Sequence, residues 1–270
     1  MKVENLLVSG EQKRLFVNTG IGCEGGCKYC YLPHIGISDI NRNIDKKDIV
    51  KEVERREKSG EFIKGCHGTI VSFGCFTECW NENIRSLTLE LLLYFINTGN
   101  YIQMATKEYI EQKDIEFLSK HLKFRNQLTI NVSLPVYYKA KQIEPNTEDV
   151  NKRIENFRYN KYHGMDVVLY IKPVIENITI ENLDIYKKLI NKYELKVIVG
   201  NYLDVNRMED ATLQIVGNQK MWQRESEQQK KLVKALKQIT QVYENSVQII
   251  EEYRRGQKDA SRHNYCDKEE

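Results

Sequence analysis

The stretch Cys23-Glu24-Gly25-Gly26-Cys27-Lys28-Tyr29-Cys30-Tyr31 sets the direction for the whole chain. Its cysteines stand at C-x3-C-x2-C spacing, directly after a strand-like run, Arg14 to Thr19. Three thiolates on one tight loop can hold three irons of a cubane cluster. The fourth iron is then left without a protein ligand. An open metal position is where a substrate or cofactor binds, by the logic of an open catalytic zinc. Gly25 and Gly26 let the backbone wrap closely round such a group, and an aromatic beside Cys30 shields it. Two other readings stay open. One is zinc with His34 as fourth ligand, although zinc sites usually pair C-x2-C units. The other is simple buried thiols.

Outward from this loop, strand-like runs alternate with helical patterns, which predicts βαβ units and a parallel sheet. Further strands are expected at Thr69 to Gly74, Tyr101 to Ala105, Leu128 to Ser133, Asp166 to Ile171 and Lys196 to Val199. Helices are expected at Asp45 to Lys58, Ile84 to Asn97, Gln112 to His121, Thr147 to about Tyr162, and Ile180 to Tyr193. Asp45 and Thr147 are capping residues, and Gly60 lies where the first helix should stop. Six such repeats end near residue 200. Met221 to Tyr253 then reads as long, polar and helical, and 256–270 as a loosely ordered tail. The division expected is a barrel over 1–205 and a C-terminal helical extension with its tail over 206–270.

Composition sets the frame. The chain has 270 residues, 41% hydrophobic and 29% charged, with 15 Gly and 4 Pro. This profile excludes wholesale disorder and collagen-like structure. No apolar run is long enough to span a bilayer, and the N-terminus lacks a signal-peptide core, so a cytoplasmic protein with no membrane partner is expected. Forty-one basic residues against 38 acidic ones leave +3, a balance that neither requires nor excludes nucleic acid. Lys230, Lys231, Lys234 and Lys237, and Arg254 with Arg255, are local basic clusters; a solvated helix face is the plainer reading of such runs. Six of the seven cysteines fall between residues 23 and 79, which favours metal or redox chemistry over disulfides.

The cysteine loop resembles the radical SAM superfamily, whose members bind a 4Fe–4S cluster with this motif and an aromatic before the third cysteine. The resemblance implies an α/β fold, a partial (β/α)6 TIM-like barrel of the radical SAM type. It implies Cys23, Cys27 and Cys30 as cluster ligands, with S-adenosyl-L-methionine as cofactor at the open iron. The activity implied is reductive cleavage of that cofactor to a 5′-deoxyadenosyl radical, fed by a reductant such as flavodoxin or ferredoxin. The cluster loop follows the first strand, at the end of a barrel where chemistry sits.

Residues 14 to 200 resemble more closely the spore photoproduct lyase branch and its DNA repair photolyase-related members. Tyr29-Cys30-Tyr31-Leu32 matches the branch's Tyr-Cys-Tyr-Leu. Gly74-Cys75-Phe76-Thr77-Glu78-Cys79-Trp80 stands where the lyase carries Cys-Thr-Ser-Asp, and Thr106-Lys107, Ser133-Leu134-Pro135, Glu144-Pro145 and Arg153 match in order. This implies Thr77, Glu78, Lys107, Ser133, Tyr31 and Arg153 as cofactor-binding residues. The chemistry suits them: a lysine or an arginine fork for a carboxylate, hydroxyl and carboxylate acceptors for the amine or ribose. For Arg153 an exposed helix position is an equal alternative. The resemblance also implies Cys75 as hydrogen-atom donor to a product radical, with Tyr29 and Tyr31 returning the electron. A small buried hydrophobe is the plain alternative for Cys75.

Departures fall where a substrate would sit. Glu78 replaces Asp, Cys79-Trp80 replaces the Pro-Tyr of the relatives' Thr-Asp-Pro-Tyr, only 22 residues precede Cys23, and Ile175-Glu176-Asn177-Ile178 replaces the branch's usual Ile-Pro-Gly-Leu. Two substrate classes follow: nucleic acid, as in lesion repair or base modification, or a peptide, protein or small molecule. Trp80 and Trp222 are candidates to stack on a base. Cys66, Cys75, Cys79 and Cys266 are candidates for an auxiliary cluster.

Overall fold

Alternation along short β-branched runs decides which side of each strand meets the helices. In the computed structural model, which describes residues 4–37, 40–200, 202–203, 212–216, 219–223 and 226–259, the strands are β1 (Val8–Glu11), β2 (Arg14–Val17), β3 (Ile70–Phe73), β4 (Ile102–Thr106), β5 (Leu128–Ser133), β6 (Asp166–Ile171), β7 (Val174–Ile175), β8 (Val197–Val199), β9 (Tyr202–Leu203), β10 (Thr212–Val216), β11 (Gln219–Gln223) and β12 (Val242–Tyr243). Eight of them form one sheet in the order β1-β2-β3-β4-β5-β6-β8-β12. Every pairing from β2 to β12 is parallel. The sheet is not closed, because β1 and β12 remain its two edges. This is the partial α/β barrel expected.

Leu15, Val17, Val71, Phe73, Ile102, Met104, Leu128, Ile130 and Val132 all join the main core with the helices. Successive side chains of a strand face opposite ways. Arg14, Ser72, Gln103, Asn131, Ser133 and Tyr170 therefore face the inside of the barrel. The outer layer comprises helices Lys46–Lys58, Arg85–Asn97, Gln112–His121, Leu183–Tyr193 and Glu227–Leu236. Asp45 caps the first, accepting from Lys47 N at 2.8 Å.

Three elements differ from the sequence reading. Thr147 caps no helix; Asp149 caps a short one, Val150–Ile154, which tightens into a 3-10 turn over Glu155–Tyr159. β1 forms an antiparallel hairpin with β2, joined through Gln12-Lys13, which lack the Asn-Gly signature of two-residue turns. The expected long helix over Met221 to Tyr253 is broken instead. Ser226 caps a helix that ends at Leu236, and the β-branched Val242 starts β12, which pairs with β8.

The last helix, Ser246–Asp259, plugs the N-terminal end of the barrel. Its Ile249, Ile250 and Tyr253 pack with Ile70, Tyr101, Val168 and Ile198. Gln103 Nε2 donates to Ser246 O at 2.6 Å, and Arg254 donates to the carbonyls of Cys66 and Gly68 at 2.9 and 2.6 Å. With that end filled, the open end is the one where β2 to β8 finish. Among the described residues no helix is long and apolar enough to cross a membrane.

Candidate active site

Four strand ends deliver the side chains. The cysteine loop leaves β2, the 75–80 loop leaves β3, Lys107 follows β4, and Ser133 ends β5. Gly74 makes the second of these loops possible. It has φ +83, and a Cβ there would lie 2.2 Å from Ala105 O, so only glycine lets the chain cross the end of β4. Asn18 Oδ1 accepts from Phe76 N at 3.1 Å, and Gly22 N donates to Phe76 O at 2.9 Å, locking the two loops together.

The cysteine loop is built to surround something. Gly26, at φ +60, turns the chain. A Cβ on Gly25 would lie 3.4 Å from Cys23 Sγ and 3.7 Å from Cys27 Sγ, so the glycine leaves both sulfurs room. Gly25 N donates to Cys23 Sγ at 3.4 Å. The segment 143–147 clamps the loop from behind, with Lys28 N to Ile143 O at 2.9 Å and Asn146 N to Gly25 O at 3.2 Å. Burial raises the pKa of all three thiols, that of Cys27 to about 11, while the nearby Lys107 ammonium pulls Cys27 and Cys30 back down. Among the described residues no three Cys, His, Asp or Glu side chains converge on a single-ion site. A cubane asks for a different arrangement, one thiolate for each of three irons. The three sulfurs, the glycine clearance and the adjacent cation fit such a cluster.

Beside the loop lies a polar shelf. Lys107 Nζ donates to Ser133 Oγ at 2.8 Å and sits 5.6 Å from the centre of the Tyr29 ring. Glu78 accepts from Thr106 Oγ1 at 2.5 Å, from the Lys107 N–H at 2.8 Å and from Trp80 N at 3.2 Å. Thr77 Oγ1 lies against Gly20. The sequence-predicted Lys107, Ser133, Glu78 and Thr77 thus line adjoining strand ends. Arg153 is placed differently. It is fully buried and spends its guanidinium on Glu144 Oε2 at 2.7 Å, Ser133 O at 3.0 Å and Thr147 Oγ1 at 2.8 Å. It supports the shelf from behind, with no surface of its own to offer a carboxylate.

The two tyrosines part company. Tyr31 O–H donates to Cys75 O at 2.5 Å and lies 3.5 Å from Cys75 Sγ. Tyr29 is buried and its O–H donates to Glu144. Burial, and then the Glu144 carboxylate, hold the Tyr29 phenol well above its ordinary pKa. The sequence reading missed Glu144 as the junction between Tyr29, Arg153 and, at 3.9 Å, Lys107. Glu144-Pro145 marked a turn; nothing in it marked burial. Glu108, just beyond Lys107, has its pKa raised to about 7, by burial and then by Glu78 and Glu148.

Among the described residues the auxiliary-cluster candidates do not assemble. Cys66 packs at the plugged end and is disulfide-bonded, against the expectation of reduced thiols. Cys79 is fully buried at the opposite end, its Sγ 3.6 Å from Ala105 O. Cys266 lies outside the described residues, as does the side chain of Trp222. Trp80 is a core residue, 2% exposed, and not a surface for a base to stack on.

A partial parallel barrel with a cysteine loop at the C-terminal end of its first barrel strand has the radical SAM fold. Within that class, the chain has a spore photoproduct lyase-like form. Spore photoproduct lyase complexed with dinucleoside spore photoproduct superposes with a TM-score of 0.61 at 15% identity, over 83% of this chain and 74% of the lyase. A double mutant of the lyase with bound AdoMet and the dinucleoside gives 0.64 at 14% identity, over 86% and 76%. Streptococcus suis SuiB bound to S-adenosylmethionine gives 0.57 at 13% identity, over 86% of this chain and 50% of SuiB. No family model matches the sequence, and no curated protein matches it significantly.

Proposed function

We propose that this chain is a radical SAM enzyme. Its cofactors in this reading are a 4Fe–4S cluster held by Cys23, Cys27 and Cys30, and S-adenosyl-L-methionine. With both bound, one-electron cleavage of the sulfonium supplies a 5′-deoxyadenosyl radical. The observation that carries the reading is the meeting of the cysteine loop, the Lys107–Ser133 pair and the Tyr31–Cys75 contact at one barrel mouth. Lys107 holds the methionyl carboxylate as a compact cation, beside the Ser133 hydroxyl. Glu78 and Thr77 supply acceptors for the amine or ribose. Tyr31 also lines the cofactor. Arg153 and Glu144 keep this shelf in place.

Cys75 is the hydrogen-atom donor in this reading. Its S–H bond breaks homolytically, a C–H bond forms on the product radical, and the sulfur is left as a thiyl. Tyr31 O–H, 3.5 Å from Sγ, then returns a hydrogen atom to the sulfur, and the tyrosyl radical left behind takes one electron from the reductant and one proton from solvent to restore the phenol. Tyr29, tied to Glu144, serves the shelf and not this return path. The electron that starts the cycle comes from a reductant of the flavodoxin or ferredoxin type.

The substrate class favoured is nucleic acid, as in lesion repair or base modification. Its support is the likeness to a lyase that binds a dinucleoside photoproduct. Of the basic clusters, Lys230, Lys231, Lys234 and Lys237 are exposed on or just beyond one helix. Arg254 is already committed to backbone carbonyls at the plugged end. A second reading, modification of a peptide, draws on the likeness to SuiB bound to its precursor peptide, at a TM-score of 0.56 over 93% of this chain. The test is 5′-deoxyadenosine formation by the anaerobically reconstituted protein, with and without an oligonucleotide carrying a thymine-dimer lesion. Lesion-dependent turnover with restored thymines supports repair. Slow turnover indifferent to the lesion turns the search to peptides and metabolites.

A further inference from the structure

Inside the barrel lies a cation with no carboxylate partner among the described residues. Arg14 opens β2 and faces inward. Its Nε donates to Ser72 Oγ at 2.7 Å, and its guanidinium carbon sits 4.7 Å from the centre of the Phe16 ring. The side chain thus runs along the inner wall, in the neighbourhood of Tyr170 and Cys75. Among the described residues no carboxylate comes within ion-pair distance, and neither Nη donates to a protein acceptor. Burial disfavours the charged form of Arg14, yet a guanidinium stays protonated in proteins. A largely desolvated guanidinium with no carboxylate beside it is stabilised when an anion is supplied.

A second observation lies further round the same inner wall. Asn131 is 3% exposed, two residues before Ser133 on the inward face of β5. Its Oδ1 is buried and accepts from nothing. Buried polar groups are normally hydrogen-bonded. The interior therefore presents a fork of two idle donors and one idle acceptor, below the thiol assigned to the product radical.

We propose that this interior is a substrate subsite for an oxyanion, a carboxylate or a phosphate, gripped by both Nη groups of Arg14, with a neighbouring N–H or O–H of the same substrate donating to Asn131 Oδ1. Arg14 then sets how the substrate lies against Cys75 and acts as a specificity residue. The planar fork matches a carboxylate or phosphate edge through two parallel hydrogen bonds. The assignment of this anion to the substrate rests on the radical SAM reading; the anion site itself does not.

The test follows alkylation of Cys75 in the reconstituted full chain, read by mass spectrometry on the Cys75 peptide. Iodoacetate carries a carboxylate and iodoacetamide does not. Arg14→Gln should lower the iodoacetate-to-iodoacetamide rate ratio by about tenfold, the effect of one charge across a partly wet interior. Arg14→Lys, which keeps the charge and guards against misfolding of the Gln variant, should retain most of the preference. Inorganic phosphate or acetate should protect Cys75 saturably in the wild type and not in Arg14→Gln, and the anion that protects names the group recognised. Equal ratios in all three proteins, with no protection by either anion, would overturn the proposal. A 5′-deoxyadenosine assay on the same preparation judges the radical reading separately, so either can fail alone.

Discussion

In the proposed reading, Lys107 is the side chain on which cofactor binding turns. Only 17% of its side chain is exposed, and its ammonium rests on Ser133 with Glu144 at 3.9 Å. Removing a charged hydrogen-bond donor costs about 1.5–3 kcal/mol. Lys107→Ala should therefore weaken S-adenosylmethionine binding by roughly ten- to a hundredfold, measured by titration of the cluster-loaded protein. Glu144 and Arg153 act through it. Both are buried to the last atom, and breaking such a pair strands the surviving charge. Arg153→Ala should cost about 3–5 kcal/mol of stability in urea unfolding. Glu108 gives a pH signature. Its pKa is raised from the ordinary glutamate value of 4.5 to about 7, first by burial, so the folded state holds a proton that the unfolded state releases. Stability from this group falls as pH rises from about 4.5 through 7. Glu108→Gln should unfold later than wild type at pH 8, by no more than ~2 kcal/mol at this partly wet position, and equally at pH 4. The three-cysteine loop was legible in the sequence because its residues are contiguous. Arg14, Glu144 and the true post of Arg153 were not, because burial and partnership depend on residues far along the chain.

Elements were legible where pattern and punctuation agree. Asp45 before a helical run and the alternation of β5 are local signals, and both elements stand where expected. The hairpin strand β1 and the two-residue β12 were hidden. Each is too short for a period to show, and each exists because a sheet edge accepts it. The last helix was read as the end of one long helix, yet it starts anew at Ser246 and plugs the barrel. Its apolar face has a consequence for stability. Ile250 is fully buried against the strand starts, and Ile→Ala in such a site costs about 2–5 kcal/mol. Ile250→Ala should lower the unfolding free energy from urea titration by that much while leaving the cluster content of the folded protein unchanged.

At the scale of the molecule, the plug and the mouth divide the labour. One end of the barrel is filled by Tyr253, Ile249 and Ile250, and the other carries the cysteines, Lys107 and Cys75. A nucleic acid bound at that mouth by lysines would be released by salt, since each phosphate contact adds to the counterions displaced. The barrel and the cysteine loop were legible together, because a strand followed by three thiols on a glycine turn has few other uses. The substrate class was not, because the inward-facing side chains proposed to read it have the spacing of any strand. The most direct measurement of the central claim is the EPR spectrum of the reduced, anaerobically reconstituted protein before and after S-adenosylmethionine is added. A 4Fe–4S signal whose shape changes on addition, and which is lost in Cys27→Ala, is the predicted result. A signal indifferent to S-adenosylmethionine, or a protein that takes up zinc in place of iron, would contradict it.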